Sequence, residues 1–198
     1  MAETAEKPAT YADIEALPEH LVGEILFGHL VTHPRPARRH GGATSAVGAV
    51  VTTSHQFGSG GPGGWIFVDE PERHLGPHIV VPDIAGWRRE RMTEPAERAW
   101  FEVAPDWVCE SLSPNTERYD KGDKRRIYAT YGVEHLWFIE PRARSLEVFR
   151  RQERDWLLTH TFFDEEPVRA PPFAEIEFSL GLLWPFDPPS GTTPGTAS

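Results

Sequence analysis

Cysteine is almost absent, with Cys109 alone among 198 residues. One thiol excludes an internal disulfide framework and fits a reducing compartment, so a cytoplasmic location is expected. No apolar run is long enough to span a membrane, and no membrane partner is expected. The opening MAETAEKPAT lacks the basic and apolar regions of a signal peptide. The nine histidines show no Cys/His cluster with zinc spacing, and the two His-x-x-x-His pairs, His29/His33 and His74/His78, fall outside the segments read as helix. The glycine run GSGGPGG (58–64) has no Lys-Ser/Thr after it, which excludes a phosphate-binding loop. Ser113 and the pair Ser54-His55 lack a third partner for nucleophilic catalysis.

Positive charge is also in short supply. Twenty Lys and Arg face thirty Asp and Glu, a formal net charge of −10, which counts against a general nucleic-acid binder. It does not exclude an enzyme with a local basic groove beside an acidic site. Three local basic clusters exist: Arg35, Arg38 and Arg39; Arg88, Arg89 and Arg91; and Lys121, Lys124, Arg125 and Arg126. Taken singly, each reads as a solvated surface.

What is present is an ordinary globular composition, 39% hydrophobic and 25% charged, with seven Trp and eleven Phe to fill a core. The length suits one sizeable domain, expected over 10–187 between a loose arm (1–9) and a disordered tail (188–198). The pattern predicts a short helix over 11–21, a turn into a strand over 23–34 with a bend at Gly28, and a helix over 40–57. Strands are expected over 64–70, 78–87 and 106–113, with an irregular connection over 90–102. A helix over roughly 117–131 precedes strands over 134–140, 145–152 and 155–163. This order favours an α/β or α+β domain on one central sheet.

The chemistry concentrates in VCESLSPNTERYDKGDKRR (108–126). Glu110 shares a strand face with Val108 and Leu112, while Trp107 and Cys109 occupy the other face. A carboxylate on a strand apolar on both faces needs a cation or a hydrogen-bonded partner. A structural ion pair with an arginine would serve equally well. Asp83, in HIVVPDIAGW, follows Pro82, which cannot donate to a ladder and interrupts pairing there. On its own it reads as a strand-end turn residue. On a helical wheel, Ile127, Tyr128 and Tyr131 share the sheet-facing arc. Lys124 lies within that arc, Lys121 at its margin, and Arg125 and Arg126 point away. A lysine inside an apolar stripe either seeks a carboxylate on the sheet or snorkels along its edge. Glu24, in GEILFG, is a fourth candidate, and alone it reads as an exposed residue near a turn. Two hard carboxylates suit Mg²⁺ or Mn²⁺. Such an ion activates water and neutralises a phosphodiester, and a nearby lysine stabilises the extra transition-state charge.

VPDIAG followed by APDWVCESLSPNTERYDKGDKRRIYATYGVEHLWFIEP resembles the Uma-two family of restriction-endonuclease-like proteins, within the PD-(D/E)xK nuclease superfamily. The similarity is strong over 78–141 and extends over 20–185. It implies a restriction-endonuclease-like fold, a central mixed β-sheet flanked by helices. It also implies Asp83 and Glu110 as metal ligands and Lys124 as the catalytic lysine, displaced onto the helix because Leu112 holds its usual place. Glu24 would be the assisting N-terminal carboxylate, and His40 matches a histidine that opens the first long helix. Ser111, Gly23 and His29 depart from the family pattern. Asp106, also preceded by proline, belongs to the start of the strand.

The expected function is a Mg- or Mn-dependent endonuclease acting on DNA, expected as a homodimer because cutting two strands often uses two sites about a two-fold axis. The alternatives are a catalytically inactive nuclease-fold binding or assembly module, which the charge of −10 favours, and a metal-dependent hydrolase with a non-DNA substrate.

Overall fold

A computed structural model of the chain describes residues 7–34, 37–93 and 97–187. The expected tail, most of the arm and Arg35 therefore lie outside the described residues. Ala9, at the end of the arm, donates its N–H to the Gly28 carbonyl.

A six-stranded mixed sheet carries the fold. It is built from β3 (Trp65–Asp69), β6 (Ile84–Arg88), β7 (Trp107–Ser111), β8 (His135–Glu140), β9 (Ser145–Gln152) and β10 (Asp155–Phe163). Their order is β10-β9-β8-β7-β6-β3, and the β7–β8 pair is parallel while its neighbours are antiparallel. Parallel pairing demands a crossover, here the helical run 117–130 between β7 and β8. That run covers one face, where Ile127, Tyr128 and Ala129 pack with Val108, Leu136 and Phe138. Helix α2 (Arg38–Val51) covers the other, where Ala43, Val47 and Val51 meet Trp107, Cys109 and Trp137. Alternation along β7 therefore sends Glu110 to the side of the helical run.

The expected fold class holds, with local differences. The segment 23–34 is a hairpin rather than one strand: β1 (Leu21–Leu26) pairs with β2 (His29–Pro34). Phe27 and Gly28, both at positive φ, form its two-residue turn, the geometry that matches strand twist. The strand expected over 78–87 is two strands in two sheets. β5 (His78–Val80) joins β1, β2 and β4 (Arg73–Leu75) in a second, four-stranded antiparallel sheet, whereas β6 joins the large one. The chain leaves one sheet for the other at Val81-Pro82-Asp83, where proline has no N–H to offer a ladder. A two-stranded piece, β11 (Pro167–Val168) with β12 (Phe178–Ser179), was not foreseen. The helix expected over 11–21 is the shorter α1 (Tyr11–Glu15), with β1 starting at Leu21, and helix α2 begins at Arg38 and passes into a π-helical turn at Thr52–Gln56.

Gly86 illustrates how tightly the large sheet is packed. A Cβ there would lie 2.8 Å from the Phe67 ring and 3.2 Å from Trp107. Gly86→Ala is expected to cost about 1–3 kcal/mol through overpacking. Chemical denaturation checks this, and an unchanged midpoint would contradict it.

Candidate active site

Four segments meet at the strand break. Continuing the β6–β7 register past Ile84↔Cys109 sets Asp83 opposite Glu110. Directly opposed residues point to the same face, and like charges placed so are destabilising unless something intervenes. Each carboxylate is held. Asp83 Oδ2 accepts the Ser111 N–H at 2.7 Å, and Oδ1 lies 2.7 Å from His40 Nε2, at the start of α2. Glu110 Oε1 accepts from the Tyr128 hydroxyl at 2.6 Å and from Lys124 Nζ at 2.9 Å. Its Oε2 receives only a 3.2 Å bond from the Asp83 N–H.

Lys124 sits in a π-helical turn, Asp120–Lys124, flanked by α3 (Glu117–Tyr119) and α4 (Arg125–Thr130). Such turns insert an extra residue into the helical ladder and often mark functional sites. Lys124 is 3% exposed, and its ammonium reaches Glu110, Glu24 (3.2 Å), Asp120 (3.2 Å) and the Val81 carbonyl (3.2 Å). Lys121, expected at the margin of the sheet-facing arc, turns outward and pairs with Glu117.

The side chains also mend the backbone at the break. The Val81 N–H donates to Glu24 Oε1 at 2.7 Å, the Val81 carbonyl accepts from Lys124, and the Asp83 N–H donates to Glu110. Backbone groups that Pro82 removes from both sheets are thus satisfied by ionisable side chains, as buried peptide groups require. Glu24 is buried on β1 rather than exposed near a turn, and His33 of β2 lies 3.6 Å from its other oxygen.

Four carboxylates (Glu24, Asp83, Glu110 and Asp120) against one ammonium leave a formal charge of −3 at the site. The protonation preferences follow from that excess. Burial pushes the Glu110 carboxyl well above the usual range, Lys124 pulls it back only in part, and Asp120 and Asp83 push it further. Burial also raises Asp120 against the pull of Lys124. For Glu24, burial acts upward, but Lys124 and the hydrogen bonds from His33 and Val81 outweigh it and hold the carboxyl low. Burial alone would lower the Lys124 ammonium below its ordinary value. Attraction to Glu110, Glu24, Tyr128 and Asp120 reverses this and holds the ammonium well above its ordinary value.

The cluster forms one wall of a cavity of about 210 Å³, where Asp83, Glu110, Asp120 and Lys124 face His40, His33 and Pro114. Among the described residues, no three His, Cys, Asp or Glu side chains form a ready-made metal cluster. The donor set still fits a hard divalent ion, which takes one or two carboxylates and completes its shell with water and phosphate oxygens. Asp83 and Glu110 are two such donors on one cavity wall, and each keeps spare lone-pair capacity.

The structure brings Asp83, Glu110, Lys124 and Glu24 together, with His40 on Asp83. Sequence reasoning missed Asp120, Tyr128 and His33. Asp120, Lys124 and Tyr128 recur every four residues and are all buried, a spacing that could have flagged the outer two. Asp106 stays apart, accepting the Arg88 N–H at 2.8 Å and pairing with Arg91 as a strand-start residue. Ser54 and His55 do acquire a third partner, Glu175 at 3.5 Å, but Ser54 is buried and its hydroxyl is committed to the Val50 carbonyl.

No curated protein matches the chain. A crystal structure from Anabaena variabilis ATCC 29413, described as a "putative nuclease belonging to DUF820", has the same fold, with a TM-score of 0.69. The two are 24% identical, over 89% of this chain and 98% of that one. The strand break, the opposed carboxylates and the helix-borne lysine all fall within residues 9–182, which match the model of a family described as "Putative restriction endonuclease", and the chain belongs to that family, Uma2.

Proposed function

We propose that this family member is a metal-dependent endonuclease that hydrolyses DNA phosphodiester bonds at the cleft of Asp83, Glu110 and Lys124. The observation that carries the proposal is the facing of Asp83 and Glu110 across a broken strand, with Lys124 Nζ 2.9 Å from Glu110. Asp83 and Glu110 would hold Mg²⁺ or Mn²⁺. When bound, such an ion activates a water and neutralises phosphate charge. The chain's own residues divide the remaining work. Lys124, held as an ammonium by the carboxylates around it, would act as a fixed cation beside the phosphate. Glu24 and Asp120 hold that ammonium from two sides, and Tyr128 steadies the Glu110 oxygen that Lys124 also touches. His40 and the Ser111 N–H fix the two oxygens of Asp83.

A second reading has its own support, because the same ions satisfy the backbone at Val81 and Asp83. On that reading the cluster is a structural network in an inactive binding module. Incubating supercoiled plasmid with the purified protein in Mg²⁺, Mn²⁺ or EDTA separates the two. Nicking or linearisation that EDTA abolishes is expected. Intact plasmid with both metals would favour the module, and turnover of small phosphodiesters alone would favour a different hydrolase.

A further inference from the structure

The helical run 117–130 has a second polar face. Opposite the cavity, Lys121, Arg125, Arg126 and Arg154 line a depression of about 240 Å³ walled by Trp156. Four cations in one depression stand out in a chain with a net charge of −10. Among the described residues, no carboxylate pairs with Arg125, Arg126 or Arg154. Lys121 has only the exposed partner Glu117, a pair worth little in water. Asp155 is the one carboxylate in the lining, and its Oδ1 accepts the Trp156 N–H. The formal balance of the depression is therefore +3.

Aromatic rings prop two of the guanidinium groups. Arg125 lies over Phe149 at 4.8 Å, and Arg126 lies over Phe27 at 5.1 Å. Stacking fixes a guanidinium plane and leaves its N–H edge for an anion. The Arg125 carbonyl accepts the Trp156 indole N–H at 2.9 Å, which ties the groove wall to the helix. The depression lies across the helical run from the cleft, since Lys121 follows Asp120 and Arg125 follows Lys124 along that run. A helix is about 10–12 Å across with its side chains. A nucleic-acid strand advancing about 3.4 Å per phosphate covers that span in three or four phosphates.

The geometry points to a phosphodiester-backbone subsite at Lys121, Arg125, Arg126 and Arg154, which holds the DNA strand beside the cleft. This rests on the nuclease reading but is tested without cleavage, so either can fail alone. In EDTA, anisotropy of a labelled DNA duplex is followed between about 50 and 200 mM salt. Each phosphate contact contributes about 0.9 to the slope of log K against log salt. Combined Arg125→Gln, Arg126→Gln and Arg154→Gln changes are expected to lower that slope by about 2–3 and to weaken binding at least tenfold. Since Arg125 and Arg126 also pack on rings, Lys121→Gln with Arg154→Gln provides a second variant at exposed positions, expected to lower the slope by about 1–2. Arg125→Lys, which keeps the charge, should retain the slope. Unchanged affinity and slope in both neutralised variants, with thermal melts confirming their fold, would overturn the subsite even if the protein cleaves DNA.

Discussion

Lys124→Met is expected to abolish metal-dependent DNA cleavage and to lower stability by about 3–5 kcal/mol, the usual cost of breaking a buried ion pair from one side. The size follows from the site. Lys124 is the one ammonium among Glu24, Glu110 and Asp120, all nearly inaccessible to water. Methionine fills much of the volume but supplies no charge and no donor for the Val81 carbonyl. Stability and catalysis would fall together, so the single variant cannot assign a role. Adding Glu110→Gln removes the carboxylate nearest the missing ammonium and keeps an acceptor for the Tyr128 hydroxyl. The double variant is expected to regain a large part of the lost stability in urea titration and to remain inactive on plasmid. Cleavage at the wild-type rate by Lys124→Met would remove the lysine from the chemistry. Failure of Glu110→Gln to restore stability would mean that the destabilisation does not arise from unpaired charge.

The sequence made one half of this site readable. Pro82 marks the strand break by its missing N–H, and Asp83 follows it. Glu110 is conspicuous because both faces of its strand are apolar, and β7 does lie between β6 and β8. Lys124 was reachable from helical phase, and its π-helical turn did not move it off the buried face. The other half depends on pairings that leave no local trace. Glu24 is buried because β1 pairs with β5, a contact between Ile25 and Ile79 far apart in the chain. Strands as short as β4 and β5 show no alternation to read, so the four-stranded sheet was invisible, and Glu24, which alone reads as exposed near a turn, gained a site role only through the family resemblance. Asp120 was masked by its neighbours in YDKGDK, a segment whose charge density suggests solvent although one face is buried. The same density hid the division of labour along this run. One face aims an acid and a lysine into the cleft, and the other carries the cations of the outer groove.

Asp83→Ala should lower metal-dependent cleavage by about 10³-fold or more, roughly 4 kcal/mol in the barrier, with little effect on the fold. Asp83 differs from Lys124 in what it leaves behind. Its side chain is 15% exposed on the cavity wall, and its loss leaves the Lys124 ion network whole. The Ser111 N–H and His40 lose an acceptor, but water can enter from the cavity, so a stability cost of about 1–2 kcal/mol is expected. Calorimetry supplies the readout that a structural role would not move: Mn²⁺ titration should show site binding in the wild type that Asp83→Ala removes. Removing a carboxylate that only splices the strand break would cost stability and leave the heat of Mn²⁺ binding intact. Retained cleavage together with retained Mn²⁺ binding would therefore transfer the cluster from catalysis to architecture. Loss of both in a stably folded variant assigns Asp83 to the metal, because its hydrogen bonds with His40 and the Ser111 N–H account for its place in the fold but not for Mn²⁺ binding.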